Sequence, residues 1–379
     1  MFQSEKEMQS WLSKELEDVE AFPNLILTSD FEPTISHASR KVLDSYDYCL
    51  RTLNMTKVVC EDKDISQFPN EVLRPDFLLY SMETESWVIV ELKNIAGPTR
   101  QTATELSAYS NALKTYFPGM SDGDVINVVI SNEWPTLLKN YVFNEIYWLN
   151  RRIICLKPIR IGASIKLECL SPNDLTKNFA QKLLTKDSFS GYQLCLYGNT
   201  IYSGGKVSDL ENHIEQIRSS FYRIVNRSSV LHSHGFAFLW RDFRKHSVSA
   251  YSITIVDINP FEKKLYETCQ EKGIANELQE VLYDNEATGN TYSLFEIMNE
   301  SDFYLRSICS SWPEGSSSWS NLKEYMIESA ELIEFRCWGV VSEIYESELS
   351  EEYNKGNIST KYECPIFGLE FVERKLFET

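Results

Sequence analysis

Residues 74–93, RPDFLLYSMETESWVIVELK, decide the fold. Pro75-Asp76 opens an apolar run from Phe77 to Tyr80. Polar, turn-like residues fill Ser81 to Ser86, and a second apolar run from Trp87 to Leu92 ends with Glu91 and Lys93. Two such runs around a short polar segment predict two strands joined by a loop. Side chains alternate along a strand, so Glu91 and Lys93 project to one side and Leu92 points into the opposite layer. If the strands pair, Asp76 comes near Glu91 at the hairpin end away from the loop.

Two carboxylates and an ammonium at a strand end are a donor set with a chemistry. A hard divalent cation such as Mg²⁺ takes oxygen ligands, usually one or two carboxylates with waters and substrate phosphate. The Leu92 carbonyl is a candidate further ligand. Lys93 is placed to orient or help deprotonate an attacking water, or to stabilise developing negative charge. That set suits phosphodiester hydrolysis. The bland alternative is a surface hairpin with solvated charges; the apolar residues flanking the charges argue against it.

Asp76, followed fifteen residues later by Glu91-Leu92-Lys93, resembles the PD-(D/E)xK nuclease superfamily. The likeness covers about residues 74–109, with weaker agreement along the first 160. It implies an α/β, restriction-endonuclease-like mixed sheet flanked by helices. It further implies that Asp76 and Glu91 bind Mg²⁺ (or Mn²⁺) while Lys93 assists the water. Many members carry an acidic residue on the first helix that reaches the metal, which makes Glu15 the candidate here. They often place a Gln on the helix after the hairpin, and Gln101 matches that position.

The rest of the first 160 residues fits such a layer. Residues 4–20 predict a helix with Met8, Trp11, Leu12, Leu16 and Val19 as its apolar stripe, and Glu15 falls within that arc. A short strand is expected at Leu25 to Leu27. A helix over 34–54 has Val42, Leu43, Tyr46 and Leu50 as its inner face. A strand at Lys57 to Cys60 precedes the hairpin. A helix over 101–115, capped by Thr99 or Thr102, sets Gln101, Glu105, Ala108 and Tyr109 on one face. Glu105 on that face is placed to meet the metal through water, and Tyr109 reads as core. Residues 124–131, DVINVVIS, read as a buried strand, 134–148 as a helix, and Arg152 to Pro158 as another strand. This order gives an α/β layer with a mixed sheet, ending near residue 160.

The second half, 161–379, carries no recognisable motif and reads as an accessory α+β domain that recognises substrate or partner. Expected elements are a helix over 172–187, a hairpin over 190–203 turning at Gly198-Asn199, and a helix over about 208–226. Strands are expected at 235–242 and 249–258. From 260 onward helices alternate with loops, and 311–320, SWPEGSSSWS, reads as a loop. Residues 335–345 suggest a strand or short helix before an acidic stretch, Glu343 to Glu352. Arg218 and Arg223 on the long helix, and Arg244 and Lys245 in the basic aromatic segment 243–246, are candidate nucleic-acid contacts. Aromatic and basic side chains together can stack a base and hold its phosphate. His232 and His234 form an HxH with no third ligand in view.

Composition bounds the class. The chain has 379 residues, 43% of them hydrophobic, with few Gly and Pro, and no apolar stretch long enough to span a bilayer. The charged N-terminal segment lacks the apolar core of a signal peptide. Nine Cys without a CxxC pair point to a reducing cytoplasm rather than to a zinc ribbon or disulfide framework. The net charge is −18, yet residues 151–260 hold fifteen Lys/Arg against eight Asp/Glu, between acidic ends. A basic middle is compatible with nucleic-acid binding through a local patch. Walker A, GxSxG and HExxH sequences are absent.

The expectation is a metal-dependent endonuclease acting on nucleic acid, DNA in the first place, with a role in defence against foreign DNA. Duplex cleavage favours a homodimer or higher oligomer, and the second domain offers a place for a protein partner. A membrane is not expected to take part. The alternative is a non-catalytic nuclease-fold scaffold or protein-binding module.

Overall fold

The computed structural model describes residues 2–27, 37–68, 70–94, 99–176, 186–198, 207–244, 247–259, 277, 280, 281, 292–356 and 362–376. The chain divides into two units, Met1–Ala180 and Gln181–Thr379. None of the described helices is long and apolar enough to cross a membrane.

The first unit is built on a seven-stranded mixed sheet. Its strands are β1 (Ile26–Leu27), β2 (Thr56–Glu61), β3 (Phe77–Ser81), β4 (Ser86–Lys93), β5 (Val125–Ser131), β6 (Arg152–Ile161) and β7 (Ser164–Cys169). They lie in the order β1-β7-β6-β5-β4-β3-β2. β2, β3 and β4 form an antiparallel meander, β4, β5 and β6 run parallel, and β7 returns antiparallel to β6. The parallel steps need crossovers, supplied by the helices α4 (Thr99–Tyr116) and α5 (Thr136–Tyr147). The expected end of this unit at residue 160 moves outward. β7 pairs with β6 along its whole length, and β1 adds to β7, so the sheet continues past that point.

β5 is buried at every position and β4 at all but its second and last residues, as expected for strands with neighbours on both edges and helices over the sheet. Before them come the helices α1 (Glu5–Glu15), α2 (Ala21–Leu25) and α3 (His37–Thr52). The predicted inner face of α3 is rotated. Val42, Tyr46 and Cys49 are fully buried, whereas Leu43 and Leu50 are only half-buried. Small polar residues share the buried face: Ser45 Oγ donates to the Ile153 carbonyl and accepts from the Ile153 N–H, both at 3.0 Å. A hydroxyl that satisfies a β6 peptide in both directions lets a Ser take a core position.

The second unit holds an antiparallel five-stranded sheet in the order β11-β8-β10-β9-β12. The strands are β8 (Phe189–Gly198), β9 (Gly235–Asp242), β10 (Ser249–Ile258), β11 (Cys309–Ser318) and β12 (Ala330–Trp338). Alternation along β9 covers both faces. Ala237 and Leu239 join the cluster under α7 (Ile214–Val230) and the helix Tyr292–Leu305. Phe236 and Phe238 pack against Trp319 on the other face, with the Phe238 and Trp319 rings stacked 5.4 Å apart. Flanked by helices, this sheet has its own core.

Of the hairpin expected over 190–203, residues 190–198 lie in one strand, β8, paired with β10 and β11, and residues 199–203 lie outside the described residues. Two expectations for this half fail. The loop over 311–320 is largely β11, an edge strand whose register slips between Pro313 and Gly315, where an edge tolerates a proline. Residues 335–345 are neither one strand nor one helix. They span the end of β12, a turn at Gly339 and the start of the helix Val340–Asn354, which carries the acidic stretch. Gly339 has φ +61°, and a Cβ there would collide with the ring of His234. Of the helix expected over 172–187, the structure describes α6 (Pro172–Thr176) and a short 3₁₀ turn at Lys186–Ser188; residues 177–185 are outside the described set.

Candidate functional site

The β3–β4 hairpin forms with Phe77 opposite Val90 and Ser81 opposite Ser86. Its loop is closed by polar contacts, the Thr84 hydroxyl donating to Ser81 Oγ at 3.0 Å. At the other end β4 outruns β3, because Pro75 cannot donate a ladder hydrogen bond. Asp76 occupies that overhang: its Oδ2 accepts the Leu92 N–H at 2.7 Å. The Asp76 peptide is held from two further elements, its carbonyl accepting from Asp62 N–H at 3.2 Å and from Gln9 Nε2 on α1 at 3.3 Å. The Tyr109 hydroxyl on α4 donates to the Arg74 carbonyl at 2.9 Å and pins the approach to β3.

Glu91 and Lys93 share a face of β4, and Lys93 Nζ donates to Glu91 Oε1 at 2.6 Å. The same ammonium reaches Glu105 Oε2 on α4 at 3.1 Å. Leu92 between them is fully buried on the other face. Thus the strand end brings Asp76, Glu91 and Lys93 together, and α4 adds Glu105.

The electrostatics are unusual for so small a cluster. Glu91 is 3% exposed, and its second oxygen, Oε2, is buried with no hydrogen-bond donor. Burial pushes its carboxyl well above the usual range, and the negative charge of Asp76 pushes it further. Burial also pushes Asp76 up to about 6, with Glu5 and Glu105 adding to the rise against the Leu92 N–H and Lys93. For Lys93, burial acts to lower the pKa, but Glu91 and Glu105 overcome it and the net shift is upward. Both carboxylates thus favour the charged form of Lys93.

A buried carboxylate oxygen without a donor is costly in the charged form and is normally satisfied by hydrogen bonds, water or an ion. Among the described residues no three His, Cys, Asp or Glu side chains gather as a metal-ligand cluster. What the site offers is Asp76 and Glu91 at one strand end, with Asp76 close enough for its charge to raise the Glu91 carboxyl; one or two carboxylates is the number that a largely hydrated Mg²⁺ takes from a protein. The Leu92 peptide meets Asp76 through its N–H.

Glu15 is not part of this cluster. It is exposed at the last residue of α1, about 15 Å along the helix axis from Glu5. Glu5, in the first turn, accepts from the Asn94 N–H at 3.4 Å and raises Asp76. The sequence signal for it was the same apolar stripe followed backwards: Glu5 precedes Met8 by three residues and Gln9 by four. Gln101 lies on α4 one turn before Glu105, and its side chain is outside the described residues.

The basic residues of the second unit are mostly committed to carboxylates. Arg218 pairs with Glu215 at 3.0 Å and Glu334 at 3.6 Å, and Arg244 forks onto Asp242. Arg223 is exposed and has no ion pair among the described residues. Lys245 lies outside them. His234 Nδ1 accepts the Val340 N–H at 3.2 Å at the start of a helix, which explains that histidine without a metal.

No protein-family model, curated protein or solved structure matches this chain. The functional reading therefore stands on the residues themselves.

Proposed function

We propose that the first unit is a metal-dependent nuclease of the PD-(D/E)xK kind, on a restriction-endonuclease-like sheet, hydrolysing phosphodiester bonds of nucleic acid, with DNA as the first substrate to test. The observation that carries this reading is the donor-less buried oxygen of Glu91, beside Asp76 and under a lysine. Asp76 and Glu91 would hold Mg²⁺ or Mn²⁺. Bound there, such an ion supplies Lewis acidity to the phosphate and lowers the pKa of water.

The chain's own groups do the rest. The Leu92 N–H fixes the Asp76 carboxylate. Lys93, held cationic by two carboxylates, stabilises the negative charge that builds on the phosphoryl oxygens as water attacks phosphorus and the 3′ oxygen leaves. Gln101, from its place on α4, is the candidate to support the site. Action against foreign DNA, and a dimer presenting one site per strand, are extensions of this reading.

The test is plasmid cleavage in Mg²⁺ by the parent, Asp76→Ala and Lys93→Ala. Equal cutting by all three overturns the assignment. A second reading, a scaffold on a nuclease-like fold, is favoured by the pairing of Arg218 and Arg244 with acids, which leaves those charges little to give to phosphate. Under that reading millimolar Mg²⁺ leaves the melting temperature unmoved.

A further inference from the structure

We propose that Glu105 is a positioning residue that receives the Lys93 ammonium when a divalent ion takes its place at Glu91. The inference rests on the metal-binding half of the reading above.

The geometry is that of an exchange. Lys93 Nζ sits 2.6 Å from Glu91 Oε1, so the ammonium is now the counter-ion of the carboxylate that the metal needs. An ion taken up at the donor-less Oε2 would lie beside the ammonium held on Oε1 of the same carboxylate, and like charges so close repel. That repulsion drives the ammonium towards its other acceptor. Glu105 Oε2 is already 3.1 Å away on the neighbouring helix, so the movement is a short transfer between acceptors and not an escape to solvent. The flexible four-carbon stem of a lysine permits such a shift. Lys93 and Glu105 are both largely shielded, with side chains 20% and 23% exposed, so water does not readily replace either partner. After the exchange Lys93 stays over the site, held by Glu105, where its charge faces the reacting phosphate.

This makes Lys93 a built-in competitor for the ion and Glu105 the group that relieves the competition. The two roles are separable by a double-mutant cycle on metal binding alone. Mg²⁺ and Mn²⁺ affinities of the full chain, without nucleic acid, are measured by calorimetry for the parent, Lys93→Met, Glu105→Gln and the double variant. Lys93→Met is expected to bind the ion about tenfold more tightly, within the usual range for coupled sites. Glu105→Gln is expected to bind it several-fold more weakly, about fivefold, and most of that loss is expected to vanish in the Lys93→Met background. Lys93→Gln replaces Lys93→Met if the latter does not fold.

A Glu105→Gln loss of equal size in both backgrounds overturns the proposal and makes Glu105 a direct ligand of the ion. Unchanged affinity in Glu105→Gln also overturns it. A parent that takes up neither ion overturns the metal reading and this inference together. A parent that binds the ion and obeys the cycle but cuts no nucleic acid supports the exchange and overturns the nuclease reading alone.

Discussion

Each sheet buries a carboxylate at a strand end, and the two are treated oppositely. Asp257, on β10, accepts N–H bonds from His234 at 3.0 Å and Ile258 at 2.9 Å, with the hydroxyls of Ser233 and Ser293 beside it. Burial still pushes it up to about 7, but its surroundings are all donors. Glu91 has one oxygen on Lys93 and the other on nothing. A buried acid ringed by donors fastens chain segments together. A buried acid with an oxygen that meets no donor is the feature on which the proposed cation site rests.

The sharpest way to break this comparison is activity. Asp76→Ala and Lys93→Ala are each expected to lower magnesium-dependent cleavage by at least about 10²-fold, the size of effect for a positioned charged group. Initial rates on plasmid at saturating metal measure this, and retention of parental rates removes the contrast.

Stability should run the other way. Asp257→Ala leaves the His234 N–H without its acceptor, while the Ile258 N–H keeps the His234 carbonyl at 2.9 Å, and is expected to cost about 1–3 kcal/mol. Glu91→Gln relieves a desolvated carboxylate while Lys93 keeps Glu105 as its partner, and is expected to change stability by less than about 1 kcal/mol in either direction. Denaturant titrations of the two variants decide it; a large loss for Glu91→Gln would make Glu91 structural.

The pH dependence sharpens the same point. Asp76 in the folded chain titrates near 6, above its ordinary value of 3.8. The folded state then binds more protons than the unfolded one between those values, so stability is full below about pH 4 and is lost as pH rises through 6. The loss from this group is about 1–3 kcal/mol at 1.36 kcal/mol per unit. Melting of Asp76→Asn from pH 4 to 8 should lack that part of the fall. Asp257 contributes a fall of the same sign, extending to about 7, which Asp76→Asn leaves in place.

Magnesium provides a smaller shift. At ten times its Kd the ion adds about 1.4 kcal/mol to the folded state, or about 3–6 °C for a unit of this size. Thermal melts should show it for the parent and not for Glu91→Gln. Least of all, Arg244→Ala is expected to change nucleic-acid affinity by less than about twofold, because its fork is spent on Asp242. A salt-dependent binding isotherm tests this.

Much of the first unit was legible because its signals are local. The 74–93 segment alternates polar turn and apolar strand over a span that closes on itself, and its charges sit where the pleat puts them. Glu5 was hidden because its role depends on where α1 lies against β4, which a helical stripe does not specify along the axis. Glu105 was visible as a polar neighbour of the site but not as the second anchor of Lys93, since that depends on the reach of a flexible side chain. In the second unit β11 was illegible: its Ser, Pro and Gly residues have little strand preference and are extended because β8 offers them a ladder. The inner face of α3 was misread because Ser45 owes its burial to a β6 peptide and Cys49 was passed over for Leu50.

Val90 and Leu92 alternate in sequence with Glu91 and Lys93 and are fully buried. Chemistry and core are thereby threaded on one strand, so a change in packing beneath β4 is felt at once as a displaced carboxylate. On the nuclease reading proposed above, such a chain has little freedom to drift in its core while staying active, yet a single charge substitution would silence it with its architecture intact.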